Sequence, residues 1–314
     1  MKKNDWIFTC LIAALCCVVL AAVAMLTGEV GLTVDGSLNL NDDISVGVVS
    51  PNVNTAVSTT VGSVQSTTAP NVGGTETEDK NVNSTPDENA PLKSTQEIID
   101  KYTFLVDKFK KEKPAYKKKE YQALPEEYRN FSTAVNSVLG LAANYMVSEE
   151  DCEELVREAG SEEILNDMPI HGAEKGCTLT DYDAVAWAKC EDLGNGTYKI
   201  SFSLKEEYNA EPTPADTLVP VSAHGAVMQP MAINDIKTEL DSVVSKIPGI
   251  TLNGFDLIYR DCVFSCVYDP QTDNVKEITH NIAIDISADV KAFSANINGS
   301  ARLTDDMFIY DIAW

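Results

Sequence analysis

Between Ile278 and Val290 the chain alternates with a period of two. Ile278, Ile282, Ile284, Ile286, Ala288 and Val290 fall on one side; Asp285, Ser287, Asp289 and Lys291 fall on the other. A helix would scatter this pattern around its circumference, whereas a strand gives it one face to bury and one to leave in water. A lone strand has nothing to bury that face against, so the segment demands strands beside it and a layer above it. Tyr198, Ile200, Phe202 and Leu204, opposed by Lys199, Ser201, Ser203 and Lys205, repeat the pattern. Phe293, Ala295 and Ile297 carry the alternation towards Asn298-Gly299, and Phe308, Tyr310, Ile312 and Trp314 end the chain in the same rhythm. Asp305-Asp306 is expected to separate these last two strands, and Asp269-Pro270-Gln271-Thr272 to form a turn in which proline already has the required φ.

Helical spacing occurs elsewhere. Ser94 and Glu97 form a capping box ahead of Ile98, Tyr102, Leu105 and Phe109, a stripe that Pro114 stops. Val135, Val138, Leu139, Ala142, Tyr145 and Met146 mark a second helix, Ser148 to near Gly160 a short third, and Ile236, Leu240, Val243 and Ile247 a fourth that starts near Asn234 and ends at Pro248. Strands in a run, with helices before and among them, predict an α+β domain over residues 94–314: a twisted antiparallel meander sheet packed against helices.

Residues 1–28 have a different character. Lys2 and Lys3 precede an apolar run from Trp6 to Leu26, which at ~1.5 Å per residue gives about 30 Å of helix, enough to cross a bilayer. A cleaved signal has an apolar core of roughly 7 to 15 residues, so the length favours a retained anchor. Ala22-Val23-Ala24 keeps cleavage and secretion open as the alternative. The two lysines leave only a stub in the cytoplasm and place the rest outside. Residues 29–93 read as a Ser/Thr/Asn/Pro stalk; from Val49 to Pro91 it has no aromatic residue to offset ordering entropy of ~1 to 2 kcal/mol per residue.

The order of a Tyr- and Lys-rich helix, the strand Tyr198–Leu204, the exit Lys205-Glu206-Glu207-Tyr208-Asn209-Ala210-Glu211-Pro212, and a hairpin from Tyr259 through Tyr268-Asp269 to Ile278 resembles uncharacterised membrane-anchored or exported proteins of clostridial-type Gram-positive bacteria. The resemblance implies a place in the cell envelope and carries over no catalytic residue. The architecture is also similar to lipid-carrier and cystatin-like sheets curled around a helix, which implies shape alone.

Much chemistry lacks material. With three histidines, His171, His224 and His280, there is no HExxH, and P-loop, GxGxxG and GxSxG signatures are missing, so neither a metal nor a cofactor is expected. His280 falls on the apolar side of the long strand and reads as a hydrogen-bonded core or cavity histidine. Nucleic acid is not an expected partner, because 24 Lys and Arg stand against 48 Asp and Glu and no long basic footprint exists. The acidic turn Asp269 to Asn274 lacks calcium-loop spacing. Of the head cysteines Cys152, Cys177, Cys190, Cys262 and Cys266, the pair Cys177 and Cys190 brackets a short segment and is the best disulfide candidate. Cys262 and Cys266 are four residues apart on one strand, which places them ~13 Å from each other, too far to bond.

Lys108, Lys110, Lys111, Lys113, Lys117, Lys118 and Lys119 stand out in so acidic a chain. They are candidate contacts to an anionic cell-envelope polymer, or a solvated face where lysine suits a helix C-terminus. The sequence thus points to a surface-exposed, membrane-anchored, non-catalytic binding or structural module. The alternatives are an envelope hydrolase built on Asp and Glu carboxylates, or a carrier of an apolar ligand between sheet and helix.

Overall fold

Ser94 caps the first helix by accepting from the Glu97 amide at 3.2 Å, and the Glu97 carboxylate accepts the Ser94 amide at 3.0 Å in return. This is the expected capping box, and it opens α1 (Thr95–Glu112), which ends where Lys113 turns left-handed with φ 49°. The computed structural model describes residues 91–314 apart from 145, 246–248 and 293–294. The anchor at 1–28 and the stalk, read as 29–93, lie outside the described residues except for 91–93. No helix among the described residues is long and apolar enough to cross a membrane.

After α1 the elements run β1 (Ala115–Ala123), α2 (Thr133–Ala143), β2 (Leu155–Arg157), the one-turn α3 (Ile164–Asp167), β3 (Val185–Asp192), β4 (Tyr198–Leu204), β5 (Glu207–Tyr208), α4 (Ile233–Val244), β6 (Ile250–Tyr259), β7 (Val263–Asp269), β8 (Asn274–Ala292) and β9 (Ala295–Ala313). The strands form one antiparallel sheet in the order β2-β1-β9-β8-β7-β4-β3, while β6, carrying β5, pairs with the far half of β8. The long β8–β9 hairpin is the axis: β7 borders the first half of β8, and β1 the second half of β9. The expected α+β class is observed, with the sheet dominant.

Cross-strand rows show what the sheet does with its inner face. One row runs Cys190, Ile200, Cys266, Ile278, Ile309 and ends at Lys118; the next runs Ala188, Phe202, Phe264, His280, Met307 and ends at Glu120. Apart from His280, each row is apolar until it reaches β1, where the inward side chains turn polar. Helix α1 packs across β3, β4 and β8. Its Ile98, Tyr102, Leu105, Val106 and Phe109 enter the same core as Phe202, Phe264, Ile278 and Ile309.

Two expectations need correction. Asp305-Asp306 does not separate two strands; both sit inside the continuous β9, opposite Ile282 and Asn281. The buried side of β9 is therefore Ala301, Leu303, Met307 and Ile309, while Phe308 and Tyr310 face outward, with Phe308 stacked on Tyr121 at 5.8 Å. A bulge between Tyr310 and Ala313, where Asp311 takes φ 51°, reverses the alternation at the end. Second, Ser148–Gly160 is not a helix: Ser148 caps only a turn, and Leu155–Arg157 pair with β1. Glu149, Glu150, Asp151, Glu153 and Glu154 repel one another at helical spacing, so pairing with a strand edge wins.

Candidate functional site

The polar ends of those rows line a cavity of about 570 Å³. Its floor comes from Lys118, Glu120 and Gln122 on β1, Leu303, Asp305 and Met307 on β9, and His280, Ile282 and Ile284 on β8. Two segments form the walls, one running out of α3 with Asp167, Pro169 and His171, the other carrying Met228, Gln229, Pro230 and Met231 before the N-terminal turns of α4. Asp235 and Glu239 of α4 stand exposed at the rim.

Period two places Tyr116, Lys118, Glu120 and Gln122 on one face of β1, so three functional groups project into the cleft from one rigid strand. Lys118 is nearly buried; its ammonium lies 3.0 Å from the Glu120 carboxylate and donates to the Asp167 carbonyl at 2.6 Å. Asp167 is itself engaged, by Arg157 at 2.6 and 3.2 Å and by the Tyr116 hydroxyl at 2.9 Å. Burial pushes the Asp167 carboxyl up, but Arg157, Lys118 and Tyr116 outweigh it and hold the group below the usual carboxylate range. Gln122 donates to one oxygen of Asp305 at 3.1 Å. Burial first, and then the Glu120 carboxylate, push Asp305 well above the ordinary carboxylate range. His280 and His171 are held neutral: burial, aided by the Lys118 charge, lowers them to about 3 and about 4. His280 lies 2.7 Å from the Tyr102 hydroxyl, the hydrogen-bonded cavity histidine expected from its place in the strand.

The wall at 165–171 is fixed from behind by Lys110. This fully buried ammonium donates to the carbonyls of Met168, Pro169, Ile170 and Lys175 at 2.8–3.2 Å, with that of Leu165 at 3.5 Å. Burial pulls its pKa down to about 7, and Asp107 opposes that shift.

The seven candidate lysines are thus dispersed. Lys108 is bound to the β7–β8 turn and lies over the Trp314 ring at 4.8 Å; Lys110 is the loop anchor. Lys113 pairs with Glu162, and Lys117 with Glu154 and Asp311. Lys118 lines the cleft, Lys119 lies on the outer face opposite Phe308, and Lys111 is exposed at the end of α1. They make no common face. The turn Asp269–Asn274 spends its carboxylates internally, Asp269 on the Gln271 amide and Asp273 on Lys101. Cys177 and Cys190 are both buried with no bond between them, and Cys262 lies just before β7 rather than on it, unlinked to Cys266. Burial lifts the thiols of Cys177 and Cys262 to about 11 and about 12, which leaves them poor nucleophiles.

Sequence reasoning missed Glu120, Gln122, Asp167 and Asp305. The available signal was the spacing of Tyr116, Lys118, Glu120 and Gln122, masked by lysines on both sides of the strand. No protein-family model, curated protein or solved structure matches this chain.

Proposed function

We propose that the folded region is a non-catalytic ligand-binding module, displayed outside the cell on the anchor and stalk read in the sequence, and that the cleft over β1, β8 and β9 is its binding site. The observation behind this reading is the cleft itself: about 570 Å³ of space whose floor combines the apolar Ile282, Ile284, Leu303 and Met307 with a few fixed polar groups, the size and make-up of small-molecule sites. A wholly apolar cargo fits it poorly, since Lys118, Glu120 and Asp305 would be left facing hydrocarbon. The test is a small-molecule screen by thermal shift on the full chain and on Met307→Trp, which fills the cleft. Ligands that stabilise the parent and not the variant support the reading; a hit list unchanged by the variant sinks it.

A second reading, the carboxylate hydrolase, is favoured by one observation. Glu120 lies opposite Met307, so Asp305 is its diagonal neighbour, with Cβ atoms ~7 Å apart, and Asp305 has the raised pKa of a general acid. Against it, Glu120 is already paired with Lys118 and Asp305 with Gln122. Turnover of a glycan or peptide, lost in both Glu120→Gln and Asp305→Asn, would establish the hydrolase and overturn the non-catalytic reading.

A further inference from the structure

The charges around the cleft do not balance, and the imbalance selects a ligand. Its one lining ammonium, Lys118, is consumed by Glu120 and the Asp167 carbonyl. The Asp167 carboxylate is consumed by Arg157 and Tyr116. His171 and His280, the lining imidazoles, are held neutral, and the remaining ionisable side chains of the lining are carboxyls: Asp305 on the floor, Asp235 and Glu239 at the rim. Among the described residues none of these three has an ammonium or guanidinium within ion-pairing distance. Asp305 has one oxygen on Gln122, and its second receives no donor among the described residues. An anion entering here would meet carboxylates with no cation to receive it; a neutral polar group would leave Asp305 to ionise without a counter-charge. The floor beside Asp305 is Ile282, Ile284, Leu303 and Met307, which offers buried area to an apolar body.

The geometry points to a small amphiphilic amine as the ligand of this cleft, with its apolar body on the β8–β9 floor and its protonated nitrogen on Asp305. The inference rests on the cleft being a binding site and adds the class of molecule that it takes. Gln122 acts as the positioning residue, holding the Asp305 carboxyl towards the cavity, and the α4 carboxylates attract the cation to the rim.

The experiment is calorimetric titration of the full chain, held in lipid nanodiscs, with three probes that share one apolar body: phenethylamine, phenethyl alcohol and hydrocinnamate. The expected order is amine, then alcohol, then carboxylate, with the amine at least about tenfold tighter than the alcohol. Asp305→Asn should remove that advantage and leave the alcohol unchanged. Met307→Trp should abolish binding of both; because a tryptophan there can disturb the sheet, Gln229→Trp at the half-buried rim is measured beside it. If alcohol or carboxylate binds as tightly as amine, the ligand class is overturned while the cleft remains a binding site. If amine binding survives both blocking variants, it belongs to the acidic surface and the inference falls. If no probe binds, the inference and the cleft reading fall together.

Discussion

The Tyr102 hydroxyl lies 2.7 Å from Nε2 of His280, joining the middle of α1 to the inner face of β8 with both side chains buried. Phe264 meets the same imidazole edge to face at 5.0 Å, and Phe202 meets Tyr102 in the same way at 4.9 Å. A polar contact is thus sealed in an aromatic cluster, where loss of either partner leaves a stranded group. Tyr102→Phe should cost about 1–3 kcal/mol, measured by urea unfolding, because it leaves the imidazole nitrogen unsatisfied. A loss below a few tenths would mean that the contact is not made in solution.

The same histidine has a pH signature. Its folded pKa lies at about 3, below the unfolded value of 6.5, so the unfolded chain binds the proton first as pH falls. The stability from keeping His280 neutral is complete above ~6.5 and is lost progressively between 6.5 and about 3. Asp167, also depressed, acts in the same direction at lower pH. His280→Gln should flatten stability against pH between 6 and 4 relative to the parent, read from paired melting curves. Parallel curves would refute the assignment.

Lys110 is where a charge fixes the shape of a loop. Replacing it with methionine keeps the volume but strands the carbonyls of Met168, Pro169 and Ile170, so Lys110→Met should destabilise by roughly 3–5 kcal/mol. Hydrogen exchange should accelerate first at Ile170, Gly172 and Ala173, whose amides are bonded within this loop. Uniform acceleration across β8 and β9 would show that the cage has no local role.

How much of this was legible follows from which side chains carry the periodicity. Where the buried face is apolar, as in Tyr198–Leu204, Ile278–Val290 and the stripe of α1, pattern and structure agree. The pattern failed on β1 and β9 for one shared reason: their inward rows meet at the cleft, and Lys118, Glu120, Gln122 and Asp305 break the apolar alternation. On β9 the conspicuous alternation is that of Phe308 and Tyr310, which face outward, whereas the buried side is Leu303, Met307 and Ile309. Lys110 and Lys118 read as surface charge because burial of lysine depends on distant partners, the carbonyls of 165–175 and the Glu120–Asp167 pair, that spacing does not reveal.

Gly299 is the clearest case of a residue whose reason is tertiary. A Cβ there would fall 2.2 Å from the Phe131 ring and 2.6 Å from the Asn130 carbonyl. The close approach lets Asn130 exchange backbone hydrogen bonds with Ser300 at 2.7 and 3.4 Å, protecting part of β9 that β1 does not reach. Gly299→Ala should cost about 1–3 kcal/mol through overpacking and expose the Asn130 and Ser300 amides to exchange. If both stay protected, the segment at 130–131 has room that the structure denies it.

Asp305 should reveal the cleft as a site that costs stability when it is empty. Its folded pKa is raised, by burial and by Glu120, above the value in the unfolded chain. Stability tied to its proton is therefore complete below the unfolded pKa and is lost as pH rises through the folded one. Lys118 and Gln122 oppose the shift and Asp306 adds to it; of the other ionisable groups lining the cleft, His171 and His280 are neutral, Asp167 is neutralised by Arg157, and Asp235 and Glu239 at the rim keep the field negative. Asparagine preserves shape and still accepts from Gln122 but never carries the charge. Asp305→Asn should therefore match the parent near pH 4 and exceed it by about 1–3 kcal/mol near pH 8, where the parent must hold an uncompensated carboxylate. Unfolding at both pH values decides it. A variant that is less stable than the parent at pH 8 would mean that the carboxylate has a counter-charge in the fold, and with it the need for a cationic ligand would vanish.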